Sequence, residues 1–215
     1  MTLDLTGKFI IGLTGNIGTG KSTVRKMLEH LGAFGIDADA LSHDAIARDS
    51  QGYTAAIEAF GSLILNSNAD IDRARLGKLV FSDAAAMQIL ENIIHPLVSQ
   101  AVDDLIMHAN QPVIVIEAIK LLESDLTSQC DTVWVVDVPQ TVQVQRLMDK
   151  RHHSREEALQ RIHFQADPQI KIAAANVIIL NDGSARKTWE QVLANWNKIP
   201  CTHSPVVEPD WLDSV

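Results

Sequence analysis

Lys8-Phe-Ile-Ile-Gly-Leu13 runs through Thr14 into Gly15-Asn-Ile-Gly-Thr-Gly20-Lys21-Ser22, and Thr23-Val-Arg-Lys-Met-Leu-Glu-His30 follows. An apolar run of this length reads as a buried strand, and the residues after Thr23 have helical spacing. Between them lies G-x-x-x-x-G-K-[ST], at the strand-to-helix junction where that pattern cradles phosphate. The glycines let successive amides turn inward on phosphate oxygens. Lys21 adds a charge that can reach the β- and γ-phosphates, Ser22 offers a hydroxyl to Mg²⁺, and the helix start presents its positive dipole end. The stretch therefore predicts a bound nucleoside triphosphate with Mg²⁺, held by Gly15, Asn16, Ile17, Gly18, Thr19, Gly20, Lys21, Ser22 and Thr23. A glycine-rich turn with no ligand would leave Gly20-Lys21-Ser22 unexplained.

The rest of the composition narrows the class. At 215 residues and 46% hydrophobic, the chain can build one sizeable α/β core with inserted substructures. A net charge of −9 argues against nucleic acid and anionic membrane as partners, since both favour a basic face. No apolar run reaches membrane-spanning length, and the early Asp4 does not fit a signal peptide, so a cytoplasmic protein is expected. Cys130 and Cys201 lack metal-ligand spacing and are expected to be buried, inert thiols in a reducing compartment.

Four β-rich segments, Phe9 to Leu13, Val113 to Glu117, Thr132 to Asp137 and Val177 to Leu180, alternate with helical stretches, and a weaker one spans Phe34 to Ile36. The alternation predicts parallel strands with helical crossovers. Ligands then sit beyond the carboxyl ends of the strands, at Asp37, Asp39, Glu117, Asp137 and Asn181-Asp-Gly183. Asp44 to Asn110 reads as helical pieces, broken at Asn66-Ser-Asn68 and at His95-Pro96. A second helical section begins at Pro139, as a first-turn residue, and runs to Gln165 with a break around His152-His-Ser154. A last amphipathic helix covers Ser184 to Asn197, with Trp189, Val192, Leu193 and Trp196 on one face. The expected organisation is a single domain over 1–199, with a core of 1–43 and 111–199. A helical lobe at 44–110 is inserted in it, a lid covers about 139–170, and a tail follows at 200–215 in which Trp211 and Leu212 could dock.

Several side chains are candidates for chemistry. Asp37 and Asp39 follow the weak second strand, and one can cap the next helix while the other orients or deprotonates an acceptor hydroxyl. Glu117 and Asp137 each end an apolar strand, where a carboxylate holds Mg²⁺ through water in phosphate-loop enzymes. Arg146, Lys150, Arg151, Arg155 and Arg161 concentrate positive charge after Pro139 in an otherwise acidic chain. They suit a lid that closes on phosphoryl groups, or equally a solvated helix with salt bridges to Glu156 and Glu157. His152-His153 has no third ligand at metal spacing and reads as a solvated turn.

With these residues in place the chain resembles the dephospho-coenzyme A kinase family, which phosphorylates the ribose 3′-hydroxyl of dephospho-coenzyme A with ATP. The resemblance covers residues 8–197. It rests on the loop at 12–23, Asp37-Ala-Asp39, Asp72-Arg73, Leu76-Gly77, Val80-Phe81, Leu90-Glu91 and Ile94-His95-Pro96. Further on it takes in Gln143, Arg146-Leu-Met148, Glu156-Glu157-Ala158, Arg161-Ile162, Gln165, Asn181 and Gly183. It implies a P-loop kinase fold, a three-layer α/β/α arrangement on a parallel five-stranded sheet with an inserted helical substrate lobe and a helical lid. It further implies Asp39 as base, Lys21 and Arg146 as catalytic cations, Arg146 and Arg161 near the ATP phosphates, and Asn181 near the adenine. Arg73 and His95 fall in the lobe that receives the coenzyme A precursor, and a helix-end role for His95 stays equally open. Ser22 and Glu117 are the implied Mg²⁺ contacts, and a monomer or weak homo-oligomer is expected. Three departures stand out: Glu117-Ala-Ile-Lys-Leu-Leu-Glu123 for the usual Asp with Pro-Leu-Leu-Phe-Glu, Lys150-Arg151 for Arg-Asp, and Ala175-Asn176 for Ala-Asp. The alternatives are another small-molecule or nucleoside kinase on this fold and a nucleotide-dependent regulatory binding protein. The latter would carry a guanine motif, which Asn197-Lys198-Ile-Pro200 does not supply.

Overall fold

The structure is a computed structural model that describes residues 7–202 and 207–212. Asp4, and residues 203–206 and 213–215 of the tail, lie outside it. The chain divides into two compact units, Met1–Ile36 with Ala109–Val215, and Asp37–His108.

The first unit is built on a sheet. Its elements open with β1 (Phe9–Thr14), α1 (Lys21–His30) and β2 (Phe34–Asp37). The second unit intervenes with α2 (Ala38–Asp44), α3 (Gln51–Phe60), α4 (Arg73–Ser82) and α5 (Ala84–His108). The chain then returns through β3 (Val113–Glu117), β4 (Thr132–Asp137), α6 (Gln140–Arg151), α7 (Arg155–His163), α8 (Pro168–Ala174), β5 (Val177–Leu180) and α9 (Ala185–Trp196). Strand order is β2-β3-β1-β4-β5. β1 runs parallel to β3 and β4, and β4 to β5, so the predicted crossover topology is present. The register sets Leu13 beside Glu117, which puts that carboxylate at the level where β1 gives way to the loop.

Alternate residues of the central strands build the core. Ile11, Leu13, Val115, Trp134 and Val136 pack with Val24, Met27 and Leu28 of α1 and with Trp189, Val192 and Trp196 of α9. Burying one such side chain stabilises the fold by about 2 kcal/mol. β3 is buried at every residue, as its unbroken apolar run requires of a strand covered on both faces. Leu212 is buried in the same core and Trp211 packs on it, so these two residues of the tail dock. α9 occupies the predicted place, with Ser184 as its N-cap accepting from the Lys187 amide. β5 is an edge strand whose Leu180 amide and carbonyl are both taken by the Gln191 side chain, which blunts that edge against further pairing.

The second unit is helical around Ile46, Ala56, Ile64, Leu76 and Val80. Asp37 caps α2 through the Ala40 amide, Ser50 caps α3, and Asp72 caps α4. The expected break at Asn66-Ser-Asn68 is a turn closed by a bridge between Leu65 and Ile71. The expected break at His95-Pro96 is absent, because α5 continues through Pro96 to His108. Proline removes one helical hydrogen bond, to the Asn92 carbonyl, and both residues are exposed where water can take up the acceptor. Val98, Val102 and Ile106 beyond it stay buried and hold the helix on course.

Two further differences lie after β4. Pro139 is the N-cap of α6 rather than its first helical residue. A short helix, α8, follows Asp167-Pro168, an N-cap and first-turn pair that the sequence reading passed over. The break at 152–154 is as expected, with His152 left-handed at the end of α6 and a capping box from Ser154 to Glu157 opening α7.

Both cysteines are free, Cys130 half-buried and Cys201 exposed, so Cys201 is not the buried thiol expected from composition. Burial, and to a smaller extent Asp131, push the Cys130 thiol up to about 12. At pH 8 that side chain is a thiol and a poor nucleophile. We expect a maleimide at pH 8 to label one thiol per native chain and two after denaturation. Rapid labelling of Cys130 in the native protein would contradict this.

Candidate functional site

The glycine loop connects Thr14 of β1 to Lys21, the first residue of α1, and its backbone explains its composition. Gly15, Gly18 and Gly20 take φ of 150°, 78° and 92°. A Cβ at Gly15 would lie 2.4 Å from the Val136 carbonyl oxygen, and one at Gly20 would lie 2.2 Å from Asn181 Nδ2. Neither position has room for a side chain. The N-cap of α1, Gly20, offers no side-chain cap, and such a helix start, with its first amides and positive dipole end, suits an anion. Lys21 is only 7% exposed at this helix start, while the Ser22 hydroxyl lies on the surface.

The loop is braced from two sides. Within it, the Thr19 amide and hydroxyl both donate to the Asn16 carbonyl, at 3.3 and 2.9 Å. On one side the segment after α7 meets it: the Ile17 amide donates to Gln165 Oε1 at 2.6 Å and Asn16 Nδ2 donates to the Ala166 carbonyl at 3.0 Å. On the other, Arg146 Nη1 donates to the carbonyls of Gly18 and Thr19, at 3.2 and 3.1 Å, and its Nη2 donates to the Asn181 carbonyl at 2.6 Å. Asn181 Nδ2 donates to the same Thr19 carbonyl at 2.8 Å, and Asn181 Oδ1 accepts from Thr188 Oγ1 at 2.9 Å. Burial lowers the affinity of Arg146 for its proton and nearby Asp182 works against that, but a guanidinium remains charged throughout.

Glu117 is buried at the end of β3, and its Oε2 accepts from Arg25 Nε at 2.7 Å. Arg25 also reaches Glu29 at 2.6 Å. Burial opposes the charge on Arg25, yet the carboxylates of Glu117 and Glu29 more than offset it and raise its proton affinity. Just past Glu117, the Ile119 carbonyl accepts from Thr14 Oγ1 at 3.1 Å and from the buried ammonium of Lys171 at 2.6 Å. The residues that depart from the family pattern thus form a loop tied to β1 and α8. Removing Arg25 would leave Glu117 with a buried charge short of its counterion, at a cost of about 3 kcal/mol. We expect Arg25→Ala to lower the urea midpoint accordingly and Arg25→Ala with Glu117→Gln to recover most of it. A midpoint unchanged in the single variant would show the pair to be screened by solvent.

The remaining candidates are placed as follows. Asp37 ends β2 and caps α2, and Asp39 lies half-buried in the first turn of that helix. Arg73 is the exposed first residue of α4, and His95 is exposed midway along α5. Arg161 is exposed on α7, while Lys150 and Arg151 occupy the last turn of α6, where cations complement the helix dipole. Asp137 borders a cavity of about 540 Å³ beside Asn16, Gln143 and Gln165. Among the described residues no three His, Cys, Asp or Glu side chains are grouped to hold a metal, and no helix is long and apolar enough to cross a membrane. Sequence reasoning missed Arg25, Lys171 and Thr188. Only Arg25 had a local signal, its place four residues past Lys21 on the loop's own helix.

Comparison with known proteins adds an independent line. A family model described as dephospho-CoA kinase matches residues 9–187. A dephospho-CoA kinase of Carboxydothermus hydrogenoformans is 41% identical over 187 residues, 86% of this chain and 91% of the relative. One from Geobacter sulfurreducens is 38% identical over 192 residues, 88% and 98% of the two chains. A crystal structure from Thermus thermophilus superposes with a TM-score of 0.79 at 30% identity, covering 87% of this chain and 95% of its own.

Proposed function

The chain belongs to the dephospho-CoA kinase family, whose ATP-dependent reaction completes coenzyme A synthesis, and on that premise we propose which of its residues carry the transfer to the ribose 3′-hydroxyl. The observation that supports the donor half is the braced loop with Lys21 buried at its end. ATP phosphates rest on the amides of residues 15–22, with Thr23 behind them and the adenine toward Asn181. Lys21 offsets charge on the β- and γ-phosphates.

The hydroxyl of Ser22 and the carboxylate of Glu117 are hard oxygen donors, a set that fits Mg²⁺. Ser22 and Glu117 would hold it together with the nucleotide phosphates, and Arg25 restrains the Glu117 carboxylate through their ion pair. Mg²⁺ bound there supplies charge compensation to the phosphate oxygens.

Asp39 accepts a hydrogen bond from the ribose 3′-hydroxyl and takes its proton as the oxygen attacks the γ-phosphorus, while the bond to the ADP oxygen breaks. Its place two residues beyond β2 supports this role, since the neighbouring Asp37 is occupied as a cap. Arg146 acts by fixing the loop, and Arg161 on α7 meets the substrate phosphates when the 139–170 segment closes as a lid. Arg73 and His95 receive the coenzyme A precursor in the helical lobe. We take the protein to work in the cytoplasm, as a monomer or weak homo-oligomer.

The test is ADP formation by purified protein with Mg²⁺ and ATP, with and without dephospho-coenzyme A. ADP should appear with the acceptor in a one-to-one ratio to coenzyme A. A rate unaffected by the acceptor would rule the reading out.

A further inference from the structure

The loop's brace ends on a residue that nothing in the reaction requires. Thr188, on α9, is fully buried, and its hydroxyl donates to Asn181 Oδ1 at 2.9 Å, with the Ser184 carbonyl a poorer acceptor at 3.5 Å. The two ends of an asparagine amide are nearly the same shape, so only their partners fix which end points where. Here the NH₂ end faces the Thr19 carbonyl and the oxygen end faces the Thr188 hydroxyl. Turned over, the amide would set two acceptor oxygens against each other at Thr19.

The consequence reaches the nucleotide site through the geometry of one peptide unit. The Thr19 carbonyl accepts from both Asn181 Nδ2 and Arg146 Nη1, which fills its two lone pairs. In a trans peptide the N–H points opposite to the C=O, so pinning the Thr19 oxygen outward aims the Gly20 amide inward, at the anion. Gly20 cannot supply this order itself, because a glycine, here at φ 92°, has no side chain to restrict its backbone.

We propose that Thr188 is a positioning residue for ATP: it fixes the Asn181 amide, which with Arg146 presets the Thr19–Gly20 peptide for phosphate. The inference rests on the reading of the loop as an ATP site and is independent of which acceptor is phosphorylated. Loss of the hydroxyl frees the Asn181 amide and turns part of the ATP binding energy into ordering of the loop. The effect therefore falls on the nucleotide and leaves the acceptor alone.

The experiment compares Thr188→Val, which keeps the shape, with Thr188→Ser, which keeps the hydroxyl, and uses Thr188→Ala against Thr188→Ser should valine not be accommodated. A fluorescent ATP analogue titrated into each protein reads the loop directly, without any acceptor. One hydrogen bond's net contribution corresponds to about tenfold in affinity. The valine variant should show an analogue Kd and a KM for ATP each raised about tenfold, while kcat and the acceptor KM stay within about twofold and serine restores the wild-type values. Unchanged nucleotide affinity in the valine variant would overturn the proposal. So would equal losses in valine and serine, or a rise in acceptor KM matching that for ATP. If the analogue binds as expected but dephospho-coenzyme A is not phosphorylated, the acceptor assignment fails and this inference stands.

Discussion

Lys21→Ala is expected to lower kcat by about two to three orders of magnitude, the effect of removing one preorganised charge from a developing anion. Lys21 is the first residue of α1 and is 7% exposed, so little solvent surrounds it to screen its charge. Its charge adds to the dipole of the same helix, and Arg146, committed to the Gly18, Thr19 and Asn181 carbonyls, does not take its place. Because the charge on the moving phosphoryl group peaks in the transition state, kcat should fall more than ATP affinity. Steady-state kinetics beside analogue titration separates the two. A variant that loses affinity alone, with kcat intact, would make Lys21 a ground-state anchor only. Far-ultraviolet circular dichroism confirms that the fold persists.

Asp39→Asn should lower kcat by about two to four orders of magnitude, the range for a positioned general base. The substitution keeps size and hydrogen bonding but not basicity, and the α2 cap should be unaffected because Asp37 makes it. The KM for ATP should change little, since the role proposed for Asp39 is toward the acceptor. In a loose phosphoryl-transfer transition state much of a carboxylate's contribution is orientation, so Asp39→Ala should be no better than asparagine. Near-normal turnover by Asp39→Asn would remove the base assignment.

What the sequence made legible was local or periodic. The loop reads directly because its glycines, lysine and serine answer constraints within eight residues. β3 reads as a central strand because Val113 to Glu117 is buried throughout, and α9 reads because Trp189, Val192 and Trp196 repeat at helical spacing. Pro96 misled because a local rule predicts a break, whereas burial of Val98 and Val102 decides the helix. The brace behind the loop was invisible for a different reason. Arg146 and Thr19 are 127 residues apart and Asn181 and Thr19 are 162 apart, and no spacing rule brings such residues together. Arg146 was legible as a candidate from the cluster of cations after Pro139 and Asn181 from its place past the last strand, and what the fold adds is that both grip the loop's outer carbonyls.

The departures from the family pattern also gain a physical account. Glu117 spans to Arg25 with its longer side chain, and the Ile119 carbonyl just beyond it is held by Thr14 and Lys171. Lys150 and Arg151 sit where a helix C-terminus favours cations, which accounts for them without any contact to phosphate.

The loop is expected to deliver phosphate to one hydroxyl, the ribose 3′ position of dephospho-coenzyme A. The direct measurement is kcat/KM for dephospho-coenzyme A against AMP and shikimate, with phosphorus NMR of the product to place the new phosphate. Dephospho-coenzyme A should be preferred by orders of magnitude, and its product should carry a 3′-phosphomonoester. Comparable turnover of AMP or shikimate, or a phosphate at any other position, would contradict it.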